Sequence, residues 1–198
     1  MTVRDIQTIS GDYVQGSFTL LRLSGERASA ALFFARLIDS HARGAAVDVA
    51  RWYFRAAVSE FRSIFDLLPA DLKTDGFLQQ WDHSSFKKDL DAHPLVSILK
   101  KVRNFAVHSV HIRGFGKDFS VTILGDGPER QEDIPSIFIE PLDRQVLARE
   151  IKDVSEKDLD WFNRQVAIWP AHLLIQEAIY QTSIPLHNFL ATTRKSAV

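Results

Sequence analysis

The stretch Val47-Asp-Val-Ala-Arg-Trp-Tyr-Phe-Arg-Ala-Ala-Val-Ser-Glu-Phe-Arg-Ser-Ile-Phe65 decides the fold class. Its apolar residues Val47, Ala50, Phe54, Ala57, Val58, Phe61 and Phe65 recur in steps of about three and four, so they share one side of an α-helix. Arg51, Arg55 and Arg62 fall on its other sides. Pro69 is expected to close this helix, because a proline breaks the backbone ladder. Upstream, Ala28, Ala31, Leu32, Ala35 and Ile38 repeat the period, with Ser24 as the expected N-cap and Gly44 as the stop. The short join makes the two helices an antiparallel pair. Before them the chain stays ambiguous: Phe18-Thr-Leu-Leu-Arg-Leu23 reads either as the start of a helix or as a short extended piece.

Working outward in the other direction, residues 70–92 are polar and broken, with short helical turns expected around Phe77–Trp81 and Phe86–Leu90. A third helix opens at Pro94, where a missing N–H costs nothing, with Asp91 or His93 as its cap. Its apolar stripe is Leu95, Ile98, Leu99, Val102, Phe105, Ala106 and Val110, and Gly114 and Gly116 are expected to end it. The period then changes to alternation at Phe119, Val121 and Ile123. A second β-like run, Ile134 to Ile139, follows a turn-rich connection. A helix is expected to resume near Asp143. Ser155 and Asp158 resemble a capping box for a long C-terminal helix that Pro170 and Pro185 should each kink or break. The expected fold is all-α: one domain over residues 1–198, a helical bundle with a small β-hairpin inserted at about 118–140.

A chain of 198 residues buries roughly 70% of its unfolded surface and can hold a core without staples. Cysteine is absent, which removes disulfides, thiolate catalysis and Cys-based metal sites. No apolar leader opens the sequence and no stretch approaches the roughly 20 apolar residues of a membrane span, so a cytoplasmic protein without a membrane partner is expected. The net charge of −1 argues against bulk nucleic-acid affinity, but the charge is unevenly distributed. Between His93 and Lys117 there is no acidic residue, while Lys100, Lys101, Arg103, Arg113 and Lys117 are cationic and His93, His108 and His111 accompany them. A solvated helix face is the plain account of such a run. On a helical wheel the third helix's stripe centres between Val102 and Ala106. Asn104, His108 and His111 then gather on the opposite side, with Arg103 at the boundary.

The segment Lys100-Lys-Val-Arg-Asn-Phe-Ala-Val-His108 resembles the signature of the HEPN (higher eukaryotes and prokaryotes nucleotide-binding) superfamily: an Arg, a polar residue, then a His on a late helix. The second Arg-to-His spacing, Arg36-Leu-Ile-Asp-Ser-His41, lacks the polar residue and lies outside the acid-free segment. The resemblance implies an all-helical, often dimeric bundle, and metal-independent endoribonuclease activity in toxin–antitoxin, anti-phage or RNA-processing systems. It assigns Arg103, Asn104 and His108 to the catalytic site. Lys100, Lys101, His111, Arg113 and Lys117 are the expected RNA-binding residues. His108 would move a proton, Arg103 would hold phosphate oxygens, and Asn104 would orient the scissile group. One chain brings one such histidine, so a homodimer would supply acid and base together. A cognate antitoxin would be a further partner in the toxin–antitoxin setting. Some toxin members carry a Tyr two residues beyond the His; Val110 stands there, so a partner that modifies this tyrosine is not implied.

The alternative is a non-catalytic dimeric RNA- or nucleotide-binding or protein-interaction module of the same fold. There Asn104 and His108 would bond across an interface and Arg103 would pair with an acid. A metal site is a weaker candidate: His108 and His111 lie three apart and His83 or His93 would have to approach, but the segment lacks carboxylates and no His-Glu-x-x-His occurs. No metal and no cofactor are expected. Trp52, Tyr53, Phe54, Phe61 and Phe65 read as core or interface aromatics, and Trp161 and Trp169 as packing residues. Glu150, Asp153, Glu156, Asp158 and Asp160 read as a solvated face.

Overall fold

Two long helices packed side by side frame the computed structural model, which describes residues 6, 15–44, 46–74, 83–108, 114–123, 128–143 and 154–195. Side chains are described throughout these except at 15–16, 83–85, 103–108, 123 and 193–195. The elements are α1 (Gln15–Phe18), α2 (Arg22–Arg43), α3 (Val47–Thr74), α4 (His83–Leu90), α5 (Pro94–His108), β1 (Gly114–Ile123), β2 (Arg130–Ile139), α6 (Glu156–Ile168) and α7 (Ala171–Lys195). The chain is therefore mainly helical with one small antiparallel sheet. The ambiguous first segment resolves as the single turn α1 followed directly by α2. The helical turn expected at Phe86–Leu90 is α4, while the one at Phe77–Trp81 and the helix near Asp143 lie largely outside the described residues.

The α2–α3 pair is antiparallel and built on a seam of small residues. Buried positions alternate in steps of four and three on both helices: Ser24, Ala28, Ala31, Ala35, Ile38 and Ala42 face Ala50, Phe54, Ala57, Phe61, Ile64, Leu68 and Asp71. That spacing keeps one seam facing its partner, and the alanines of α2 leave room for the phenylalanines of α3. Gly44 caps α2 as expected, its N–H donating to the Ala42 carbonyl. Arg27 and Glu60 bridge the pair at 3.0 Å.

Two expectations fail at the far end of this pair, for one reason. Ser24 is not the N-cap of α2; Leu21 is, and it offers no side-chain cap. The carboxylate of Asp71 serves instead. It accepts from Leu23 N (3.0 Å), Ser24 N (2.6 Å) and Ser24 Oγ (2.6 Å), placing negative charge at the positive end of the α2 dipole. To deliver that carboxylate α3 runs on past Pro69 to Thr74, burying Asp71 and Leu72 in its last turn. Packing outweighs the lost hydrogen bond at the proline. Gly25 permits the adjoining contact: a Cβ there would lie 2.3 Å from the Phe18 carbonyl oxygen, so α1 crosses α2 backbone to side-chainless backbone.

Helix α7 threads the centre and touches α1, α2, α3, α4, α5 and β2. Ile175, Ile179, Thr182, Leu186 and Leu190 are all buried along it. Pro170 separates α6 from α7, but Pro185 lies inside α7 without ending it, because the buried residues on both sides continue one stripe. Ser155 caps α6 as expected, accepting from Asp158 N at 3.1 Å. The strands pair in antiparallel register from Gly114↔Ile139 to Ile123↔Arg130. The last four residues of β2 are buried and its first four exposed, so the base of the hairpin sits on the bundle and the tip projects. Arg51 of α3 fixes the base, donating from Nε (2.9 Å) and Nη2 (2.6 Å) to the Gly114 carbonyl while Nη1 meets Asp48. Of the aromatics assigned to core or interface, Phe54 and Phe61 are buried, Tyr53 and Phe65 half-buried, and Trp52 is 70% exposed. Among the described residues no helix is long and apolar enough to cross a membrane.

Replacing Asp71 with Ala would leave three donors at the start of α2 without their acceptor, at a cost of about 2–4 kcal/mol. Asp66→Ala, which removes only a half-exposed pair with Arg62 (3.1 Å), should cost less than about 1 kcal/mol. Urea unfolding of both variants checks this; equal losses would contradict the capping role.

Candidate functional site

Helix α5 carries the candidate residues, and its first half is more enclosed than a basic surface helix should be. Pro94 opens it, and Ser97 N donates to the His93 carbonyl at 3.0 Å. Leu95, Ile98, Leu99 and Val102 are buried as the stripe requires, but Val96 and Lys100 are buried too. These two lie toward the side of the wheel expected to face solvent. The helix runs between α3, α6 and α7, so its opening turns are covered nearly all round.

Lys100 is the clearest departure from the sequence reading. It was expected on an RNA-binding surface, yet it is 8% exposed. Its ammonium pairs with Asp91, which thereby bridges to Lys100 instead of serving as an N-cap, and lies 4.2 Å above the centre of the Phe65 ring. Burial pushes its pKa down, Asp91 opposes that shift, and the charges of Arg62 and Lys87 reinforce it. A cation so engaged is not offered to a phosphate. Lys101 is half-buried, and Lys117 is exposed on β1 with Nζ 5.2 Å from the centre of the Phe138 ring.

Arg103, Asn104 and His108 lie in the second half of α5, where the backbone is continuous helix. Their side-chain positions, and all of His111 and Arg113, lie outside the described residues. In register Asn104 and His108 stand one and two turns beyond Lys100. Gly114 and Gly116, expected to stop this helix, belong to β1. His93 begins the helix that His108 ends, about 22 Å along the axis, so it does not approach His108 within one chain. Among the described residues no three His, Asp or Glu side chains converge as metal ligands. His41, of the rejected Arg36–His41 spacing, has Nδ1 2.9 Å from the Leu37 carbonyl oxygen and its ring against Tyr53.

Two half-buried histidines sit in surroundings that disfavour charge: His93, read from the sequence as a possible cap and as part of the basic run, and His172, which the sequence did not single out. His93 stands edge-on to Trp161 (5.3 Å, 87°), its Nδ1 has no hydrogen-bond partner among the described residues, and burial pushes its pKa down to about 4. His172 lies 3.8 Å from Asp39, but Asp39 is already bonded to Arg43 at 2.9 Å, and burial lowers the His172 pKa despite the carboxylate. We read it as a neutral imidazole rather than half of an ion pair. Only an apolar, helix-rich surrounding could have flagged His172, and that is not visible in a local pattern.

A lowered folded-state pKa means that the unfolded chain takes up the proton first as pH falls. His93 therefore removes stability progressively from about pH 6.5 down to about 4, and has no such effect above that window. Urea unfolding midpoints should fall across this range, and His93→Gln should flatten part of the fall, His172 accounting for more of it. An unchanged pH slope in the variant would remove His93 as the cause.

The comparisons with protein-family models, with curated proteins and with solved structures return no match, so the site has to be read from its own residues.

Proposed function

We propose that the chain is a HEPN-like, metal-independent endoribonuclease of a toxin–antitoxin, anti-phage or stress system, acting in the cytoplasm as a homodimer. The observation that supports this reading is the placement of Arg103, Asn104 and His108 within six consecutive residues of one helix, in a segment free of acidic residues. Along the axis they span about 7.5 Å, which suits contact with one phosphodiester. In the proposed reaction a histidine takes the 2′-OH proton and O2′ attacks phosphorus. The 5′ oxygen leaves with a proton from the second protomer's histidine, giving a 2′,3′-cyclic phosphate and a 5′-hydroxyl end. Arg103 offsets charge on the phosphorane. An antitoxin, where one exists, would cover this helix.

The second reading is a dimeric RNA- or nucleotide-binding or protein-interaction module of the same fold without chemistry. The burial of Lys100 favours it, because one cation of the basic run serves the interior. RNA cleavage assayed in EDTA separates the two. His108→Ala and Arg103→Ala should each lower the rate by about 10²–10⁴ with unchanged circular dichroism. Equal cleavage by His108→Ala sinks the enzyme reading, and RNA binding without cleavage by the wild type selects the second.

A further inference from the structure

A cleft of about 610 Å³ opens between α4, the turn leading into α5, and the C-terminal half of α7. That volume falls within the range of about 300–1,000 Å³ typical of small-ligand sites. One wall is aromatic: the rings of Phe86 and Phe189 lie 4.6 Å apart, tilted by 33°. The polar lining is of a particular kind. Asn188 contributes a side-chain amide that makes no hydrogen bond among the described residues. Gln181 donates to Glu177 (2.7 Å) and keeps its amide oxygen out of that bond. Asp89 lines it from an exposed position, and the half-buried His93 lines it as well. Among the described lining residues there is no lysine or arginine, and Asp89 carries the one formal charge, since burial keeps His93 neutral at pH 7.

This chemistry selects a ligand class. A phosphate group would meet a carboxylate and no cation, which disfavours it. A purely aliphatic ligand would leave the amides unsatisfied. An amide presents a donor and an acceptor side by side, matching the edge of a ring that alternates the same groups. Aromatic walls favour a flat guest. We propose that the cleft binds an uncharged planar nitrogen heterocycle of nucleobase or nucleoside size, stacked on the half-buried Phe189, against which the buried Phe86 packs, with its polar edge toward Asn188, Gln181 and Asp89. The site is separate from the ribonuclease reading: His93 precedes Arg103 and His108 by about 15 and 22 Å of helix, and none of the proposed catalytic residues takes part.

Saturation-transfer NMR on the full chain tests this, with adenosine, guanosine, cytidine and uridine titrated beside their 5′-monophosphates. At least one nucleoside should bind saturably, and its monophosphate about tenfold more weakly or worse. Ile184→Trp, which puts an indole into the cleft from an exposed position, should abolish binding. Asn188→Leu, also at an exposed position, should weaken it about tenfold, and Asp89→Asn should narrow the gap between nucleoside and monophosphate. Absence of saturable nucleoside binding, binding that survives both Ile184→Trp and Asn188→Leu, or tighter binding of the monophosphate would each overturn the proposal. Cleavage by His108→Ala leaves this titration unaffected, so the two proposals fail independently.

Discussion

The carboxylate of Asp71 closes the start of α2 from the end of α3, and the rest of the bundle is arranged around the pair so formed. Without it the first amides of α2 would face a buried surface with no acceptor, because Leu21 at the N-cap has nothing to give. With it, two helices of 22 and 28 residues are held at their far ends as well as at the loop, and the alanine seam between them stays in register. The central helix α7 and the base of the hairpin then pack on a preformed two-helix surface. α1 can cross this pair only where Gly25 leaves room.

Much of this frame is legible in the sequence because it depends on periodicity. The α2 and α3 stripes, the stop at Gly44, the start at Pro94, the cap at Ser155 and the alternating strands all follow local rules, and the structure keeps them. Expectations fail where a distant residue overrules a local one. Pro69 looks like an end, but Asp71 and Leu72 have partners on α2 that hold the helix together for another turn. Pro185 is carried through in the same way by Leu186 and Leu190. Ser24 looks like a cap but is one of the groups being capped.

The candidate site is legible to a lesser extent, and for a physical reason. A wheel assumes that a helix has one wet side along its whole length, and α5 does not. Its N-terminal turns are enclosed by neighbours that the wheel knows nothing of, so Lys100 finds Asp91 and Phe65 where solvent was expected. The basic run is thus not one electrostatic surface. It divides into an inner cation that serves packing, an exposed Lys117 on the hairpin, and the segment around Arg103 and His108. Any account of RNA affinity has to draw on the last two.

The hairpin is joined to the bundle in a way that depends on shape more than on charge. Arg51 reaches 63 positions along the chain to one carbonyl and grasps it with two nitrogens, while a third steadies Asp48. Only a flat, forked group can do both at once; an ammonium on a pliant stem carries the same charge but has no plane. The direction in which the β-ribbon leaves the helices is therefore held by the rigidity of this guanidinium together with the buried base at residues 136–139, and a substitution that preserves every charge in the protein would still loosen one of these two holds.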